Sequence, residues 1–248
     1  MLEGLDATRI AITACIVFGA FVIRGMSGFG AGMFGIPLLA FLMPVHSAVA
    51  MFGLLVLVLF GVLSVRDWGT VVKAELRLLI VPTLLGVAGG VLLFKHLDNR
   101  LLLRLMGGFL ITYSIYALAV HYIGLPQVTC SQRWAFPIAL TAGVIDTLFG
   151  GGGGSLVVIY LHMRGVGRAP FRATVAVLWL TEMIARILGY GAAGYYSVDI
   201  LLLCALLLPV MGAGSWLGEW LGNRISQETF SKLLALLLLL AGGSLLAK

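Results

Sequence analysis

The sequence predicts an all-α polytopic membrane protein with about 8–10 membrane segments in two homologous halves, each half carrying a glycine-broken short helix. Three observations carry that reading. The 248 residues are 61% hydrophobic and 10% charged, with a mean hydropathy of +1.10, far more apolar surface than a soluble chain of this length could hide. The apolar residues fall in runs: Leu101–His121, Ile200–Leu221 and Phe230–Ala247 each approach the roughly 20 residues that cross a bilayer as a helix. Two glycine clusters interrupt the runs at matching places. Phe29-Gly30-x-Gly32 aligns with Phe149-Gly150-x-Gly152 at an offset of 120 positions.

Taken in order, the apolar segments cover 8–23, 31–43, 49–65, 76–94 and 101–121. A polar linker at 126–133 follows, and then segments at 134–149, 154–163, 174–193, 200–221 and 230–247. This divides one integrated membrane domain into an N-terminal half, 1–125, and a C-terminal half, 134–248. The halves match beyond the glycines. The run from Leu97 to Leu105 parallels that from Ile225 to Leu233 at offset 128, and Pro82 matches Pro209 at offset 127. The longer loop His162–Pro170 absorbs most of the drift, at a place where insertions cost least.

Ala31–Met43 and Gly154–Met163 are too short to span alone. Either they are half-helices of a broken or re-entrant hairpin, or they complete short tilted crossings. Irregular backbone there must pack in protein or line a wet cavity, because unpaired amides in lipid cost several kcal/mol each. Met1–Thr8 lacks the basic region and cleavage site of a secretory signal, so the first apolar run is expected to remain. With ten crossings, basic residues divide 10 to 5 between the two faces; with eight, about 8 to 6. An odd count of five segments per half favours an inverted repeat.

A glycine run that opens a helix leaves the first amide groups pointing outward, where the helix dipole adds partial positive charge. Such an end binds anions without a lysine or arginine. The candidate substrate-binding residues are therefore Ser27, Gly28, Phe29, Gly30 and Gly32 in the first half. Phe149, Gly150, Gly151, Gly152, Gly153, Gly154 and Ser155 are their counterparts in the second. The competing reading is that membrane helices use glycine for close packing, which suits Gly86, Gly89, Gly90, Gly107 and Gly108. No Lys-Ser/Thr follows Gly154, so neither cluster is a P-loop.

Charges inside the apolar runs are the other candidates. Glu182 and Arg186 share a helix face four residues apart, either as a structural ion pair, as groups that couple substrate or proton movement, or near the membrane surface. Their first-half counterparts at offset 126 are Val56 and Phe60, so any coupling role belongs to one half. Arg24 precedes the first cluster and either charges an anion site or marks the end of a span. Asp146 precedes the second and either carries a proton or pairs with Arg24 or Arg186. Arg172 and His46 read as surface positions, and Trp68, Trp134, Trp216 and Trp220 as interfacial anchors, with Trp179 deep. Ser27, Ser155, Thr181 and Tyr160 offer hydroxyls to a substrate or to neighbouring helices.

The three cysteines and four histidines are dispersed without metal-ligand, disulfide or catalytic spacing, so no metal, cofactor or enzymatic role is expected. The net charge of +6 suits basic loops of an inner-membrane protein, and no basic stripe suggests nucleic acid. A secondary transporter, the halves rocking about an anion held by glycine-broken elements, is the reading that fits; a passive anion channel is the alternative. A coupling proton or other ion, and a homodimer, are left open by the residues.

The pattern Gly28-Phe29-Gly30-Ala31-Gly32 leading to Ile36-Pro37-Leu38-Leu39 resembles the first signature of the sulfite exporter TauE/SafE family. Phe149–Gly154 followed by Val158-Ile159-Tyr160-Leu161 resembles the second, and Phe171-Arg172-Ala173-Thr174 a family-typical stretch after it. The resemblance covers nearly the whole chain. It implies movement of small sulfur-containing anions, such as sulfite, thiosulfate or organosulfonates, across the bacterial inner membrane. One departure is Val157, where the first half has Pro37.

Overall fold

A computed structural model describes residues 7–27, 30–123, 130–222, 224 and 227–246. Its structure is 87% helix, and no strand forms among the described residues, as an all-α reading requires. Among the described residues ten α-helices follow one another: α1 (Ala7–Ser27), α2 (Ala31–Leu39), α3 (Val45–Asp67), α4 (Lys73–His96), α5 (Asn99–Ile123), α6 (Ala135–Phe149), α7 (Gly154–Met163), α8 (Arg168–Ala192), α9 (Val198–Gly222) and α10 (Gln227–Leu246). Each corresponds to one expected segment. The linker position lies partly outside the described residues, and Ser131–Trp134 there forms a short 3-10 turn and its cap before α6.

Among the described residues, five helices are long and apolar enough to cross a membrane: Ala7–Met26, Lys73–His96, Asn99–Ala119, Pro170–Ala192 and Val198–Gly222. The solvent they expect is written on their surfaces. Leu92 and Leu93 of α4 and Leu201, Leu202 and Leu206 of α9 are exposed, which is tolerable only in hydrocarbon. At 9 and 10 residues, α2 and α7 run about 13–15 Å, roughly half the hydrocarbon thickness. They are half-length helices and cannot cross alone.

The chain packs as two compact units. The first gathers residues 1–51, 97–125 and 196–248; the second gathers 52–96 and 126–195. In the first unit α1 lies against α9, α5 against α10, and α2 against α1 and α10. In the second, α4 packs on α6 and α8, and α7 on α6 and α8. The close pairs exchange between sequence halves: α1 takes α9 as α6 takes α4.

Glycine makes those pairs close. Apolar side chains gain nothing by leaving lipid, so association relies on backbone approach and van der Waals contact. A Cβ on Gly86 would strike the Leu140 carbonyl, and one on Gly90 would lie 2.7 Å from Thr147. In the other unit a Cβ on Gly214 would lie 2.7 Å from the Phe18 carbonyl, and one on Gly218 would strike that of Val22. Gly86 and Gly90 precede Gly214 and Gly218 by 128 positions, the offset of the Leu97 and Ile225 runs. Gly107 meets the Gly242 carbonyl across α5 and α10. Gly89 and Gly108, expected to pack, face open space instead.

Polar contacts tie the ends. Asp98 Oδ1 accepts the Leu101 amide at 2.6 Å and caps α5, while Asn99 Oδ1 accepts the Val45 amide at 2.8 Å at the start of α3. Thr174, in the stretch the sequence singled out, accepts the Val72 amide at 2.9 Å and anchors the turn before α4 to α8.

Candidate functional site: a buried charge cluster at the break before α7

The second glycine cluster sits wholly within the second unit, and its residues have different physical reasons to be glycine. Gly150 (φ 73°) and Gly152 (φ 103°) occupy the left-handed region, which a Cβ disfavours. Gly150 ends α6 by donating to the Asp146 carbonyl. Gly153 has an ordinary φ of −63°, but a Cβ there would strike the Ala142 carbonyl. A Cβ on Gly154 would lie 2.7 Å from Trp179, which in turn stacks against Phe60. Phe149 is buried at the end of α6. The break is thus shaped on one side by backbone geometry and on the other by close packing.

Across this break the Gly153 amide donates to Asp146 Oδ1 at 2.8 Å, and the Gly154 amide reaches the same carboxylate. Asp146 therefore caps the N-terminus of α7 from inside α6. A carboxylate at a helix N-terminus satisfies orphan amides and complements the dipole. The Ser155 hydroxyl turns back to the Gly152 carbonyl at 2.6 Å. The amides of Gly151 and Gly152 have no hydrogen-bond partner among the described residues.

Glu182, Arg186 and Tyr190 step along one face of α8 at four-residue intervals and meet Asp146. All four are 5% exposed or less. Arg186 Nη1 donates to Glu182 Oε1 at 3.1 Å, and the guanidinium also acts electrostatically on Asp146. Both Glu182 and Arg186 are buried in the protein, as an ion pair or a coupling pair would be. Of the two cations the sequence offered Asp146, Arg186 is the one whose charge acts on it. The Tyr190 hydroxyl donates to the Thr147 carbonyl and faces the guanidinium. One donor is unmatched: Arg186 Nε is buried without a hydrogen-bond partner among the described residues. Leaving a buried donor unpaired costs about 1–3 kcal/mol, more when charged.

The first cluster lies in the other unit. Gly30 takes φ 91° as the cap of α2 and Gly32 is buried in that helix. Gly28 and Phe29 lie outside the described residues, as does the side chain of Ser27. Arg24, 7% exposed in the last turn of α1, feels Glu219 of α9. A groove of about 500 Å³ beside α1 and α2, lined by Ala11, Ile12, Cys15, Phe34 and Leu38, offers an anion almost nothing but carbon.

Sequence reasoning overlooked two groups. Tyr190 carried a signal, since it extends the Glu182–Arg186 spacing by one more helical turn. Glu75 carried none, because an acid near a segment end reads as interfacial. Here it is 5% exposed, accepting from Tyr160 Oη at 2.8 Å and Arg164 Nε at 3.0 Å. Arg164 also donates to the Cys130 carbonyl, so it clamps the far end of α7 as well as adding a loop charge. Thr181 donates to the Val177 carbonyl of its own helix. Arg172 lies near the start of α8 and His46 at the start of α3. Trp134, Trp216 and Trp220 are exposed near helix ends, and Arg224 stacks over Trp220 at 3.9 Å.

Half-length helices, each preceded by a left-handed glycine and set among apolar helices long enough to span, mark a multi-pass membrane protein. The family model of the sulfite exporter TauE/SafE matches residues 12–245, and the chain belongs to that family of membrane transporters. It is also similar to a probable membrane transporter protein of Methanocaldococcus jannaschii, 28% identical over 182 residues. That match covers 67% of this chain and 63% of the relative's length. No solved structure matches the chain at a significant level.

Proposed function

We propose that the protein is a secondary transporter that moves small sulfur-containing anions, of the sulfite, thiosulfate or organosulfonate class, across the bacterial inner membrane by alternating access. The family supports the transport role. The observation that carries the anion is the buried Arg186, whose charge acts on the Asp146 cap of α7 and whose Nε lacks a partner among the described residues. Gly150–Ser155 form the second-half seat and Arg186 supplies formal charge. Ser27, Gly28–Gly32 and Arg24 serve the equivalent element of the first half. Either Glu182 or Asp146 carries the coupling proton. The exchange of helix partners and the shared 128-position glycine offset support a duplicated architecture whose halves exchange access.

The test is ligand stabilisation followed by flux. Thiosulfate, sulfite and a sulfonate panel should stabilise the purified protein by about 2.7 kcal/mol at a hundredfold excess over Kd, and so raise its melting temperature with concentration. In liposomes a carrier shows counter-flow of labelled anion, whereas a channel does not. Absence of both stabilisation and flux for every sulfur anion ends the substrate assignment. Flux without counter-flow makes the protein a passive channel.

A further inference from the structure

The carboxylate of Asp146 sits where an anion would sit. It holds the Gly153 amide at 2.8 Å, reaches the Gly154 amide, and feels the charge of the Arg186 guanidinium, which is bonded to Glu182. We propose that Asp146 is a tethered stand-in for the transported anion. Substrate binds by displacing its carboxylate from the α7 N-terminus while Asp146 takes up a proton. Each anion is thereby obligatorily accompanied by about one proton. The inference rests on the anion-transport reading above and adds how that site couples.

Charge bookkeeping leads there. The buried cluster holds two carboxylates and one guanidinium, a formal charge of −1. Adding a monoanion to the amides of Gly151–Gly154 and to Arg186 Nε would bring the charge to −2 in surroundings that solvate ions poorly. Forming an O–H bond on Asp146, with the proton drawn from bulk water, keeps it at −1. The same step frees two amides, so substrate and proton are linked through one set of hydrogen bonds rather than by long-range attraction alone.

Among the described residues, Asp146 is the carboxylate bonded to the α7 amides. From α8, Asp146 faces Glu182, Arg186 and Tyr190. From the start of α7 it faces only backbone amides. The part of α4 against this stretch of α6 offers Thr83, Gly86, Val87 and Gly90. The other buried acid of the unit, Glu75, is engaged by Tyr160 and Arg164 at the far end of α7. Glu182 keeps its own bond to Arg186 Nη1, so the exchange leaves that pair intact.

Isethionate and methanesulfonate, both monoanions that do not titrate near neutral pH, are the probes. Titration calorimetry of the purified full chain, in buffers of different ionisation enthalpy, reads protons bound per anion. Wild type should take up about one proton, and affinity should weaken about tenfold per pH unit above the proton's titration. Asp146→Asn should bind without proton uptake and with little dependence on pH. Glu182→Gln should keep the uptake. Anion binding by wild type with no proton uptake overturns the exchange and leaves the transport reading standing. Undiminished uptake in Asp146→Asn also overturns it, by moving the proton elsewhere. Failure of wild type to bind either anion overturns both. Should Asp146→Asn not fold, the wild-type stoichiometry and the Glu182→Gln variant decide the matter.

Discussion

Asp146 and Gly153 are joined by a 2.8 Å hydrogen bond that crosses from the last turn of α6 to the first of α7. Two half-connected helices are thereby held in one geometry by a single buried carboxylate. The neighbouring glycines serve the same geometry, and their substitution separates strain from steric block.

Gly150→Ala and Gly152→Ala place a Cβ in the left-handed region, at a cost of about 1–2 kcal/mol each. Gly153→Ala drives a methyl into the Ala142 backbone and must part α6 from α7. We expect the first two to lower thermal stability modestly and Gly153→Ala to abolish substrate-induced stabilisation. Gly30→Leu and Gly152→Leu should insert but not transport. Thermal melts and liposome flux report both; normal transport by Gly30→Leu and Gly152→Leu would discard the glycine breaks as functional elements.

Removing Arg186 alone leaves Glu182 and Asp146 without their cation. Breaking a buried pair in this way costs about 3–5 kcal/mol. Arg186→Met should therefore give little folded protein by size-exclusion chromatography. The double variant Glu182→Gln with Arg186→Gln should recover folding but not anion binding. If it binds as well as wild type, the guanidinium is structural only.

The network at the opposite end of α7 should behave differently. Tyr160→Phe removes a buried hydrogen bond to a carboxylate, worth about 1.5–3 kcal/mol. Arg164→Ala should matter less, because that side chain is 27% exposed. Both variants should melt earlier than wild type yet keep wild-type anion affinity. A tenfold loss of affinity in Tyr160→Phe would instead tie this end of α7 to the site.

Close helix crossings make a fourth contrast. Gly86→Ala and Gly218→Ala each meet a backbone carbonyl of the partner helix, and such overpacking costs about 1–3 kcal/mol. Gly89→Ala and Gly108→Ala meet nothing within 4 Å and should leave the melting temperature unchanged or slightly higher. Equal effects in all four would mean that backbone approach does not hold these pairs.

The helices were readable because each is a local matter. A run of apolar residues in lipid has no alternative to satisfying its own amides, and a glycine cluster stops the run wherever it falls. Spacing alone also put Glu182 and Arg186 on one face, since four residues make one helical turn. Which cation Asp146 would find, and that its carboxylate would turn back onto Gly153, depend on α6, α7 and α8 meeting in space. The same holds for Glu75, whose partners Tyr160 and Arg164 lie 85 and 89 residues away. Gly89 and Gly90 are indistinguishable in composition, and only the face turned to α6 makes one indispensable and the other idle. Periodicity and hydropathy act within a few residues, so they specified the segments. Charge pairing and backbone contact act across the chain, so only packing could assign them.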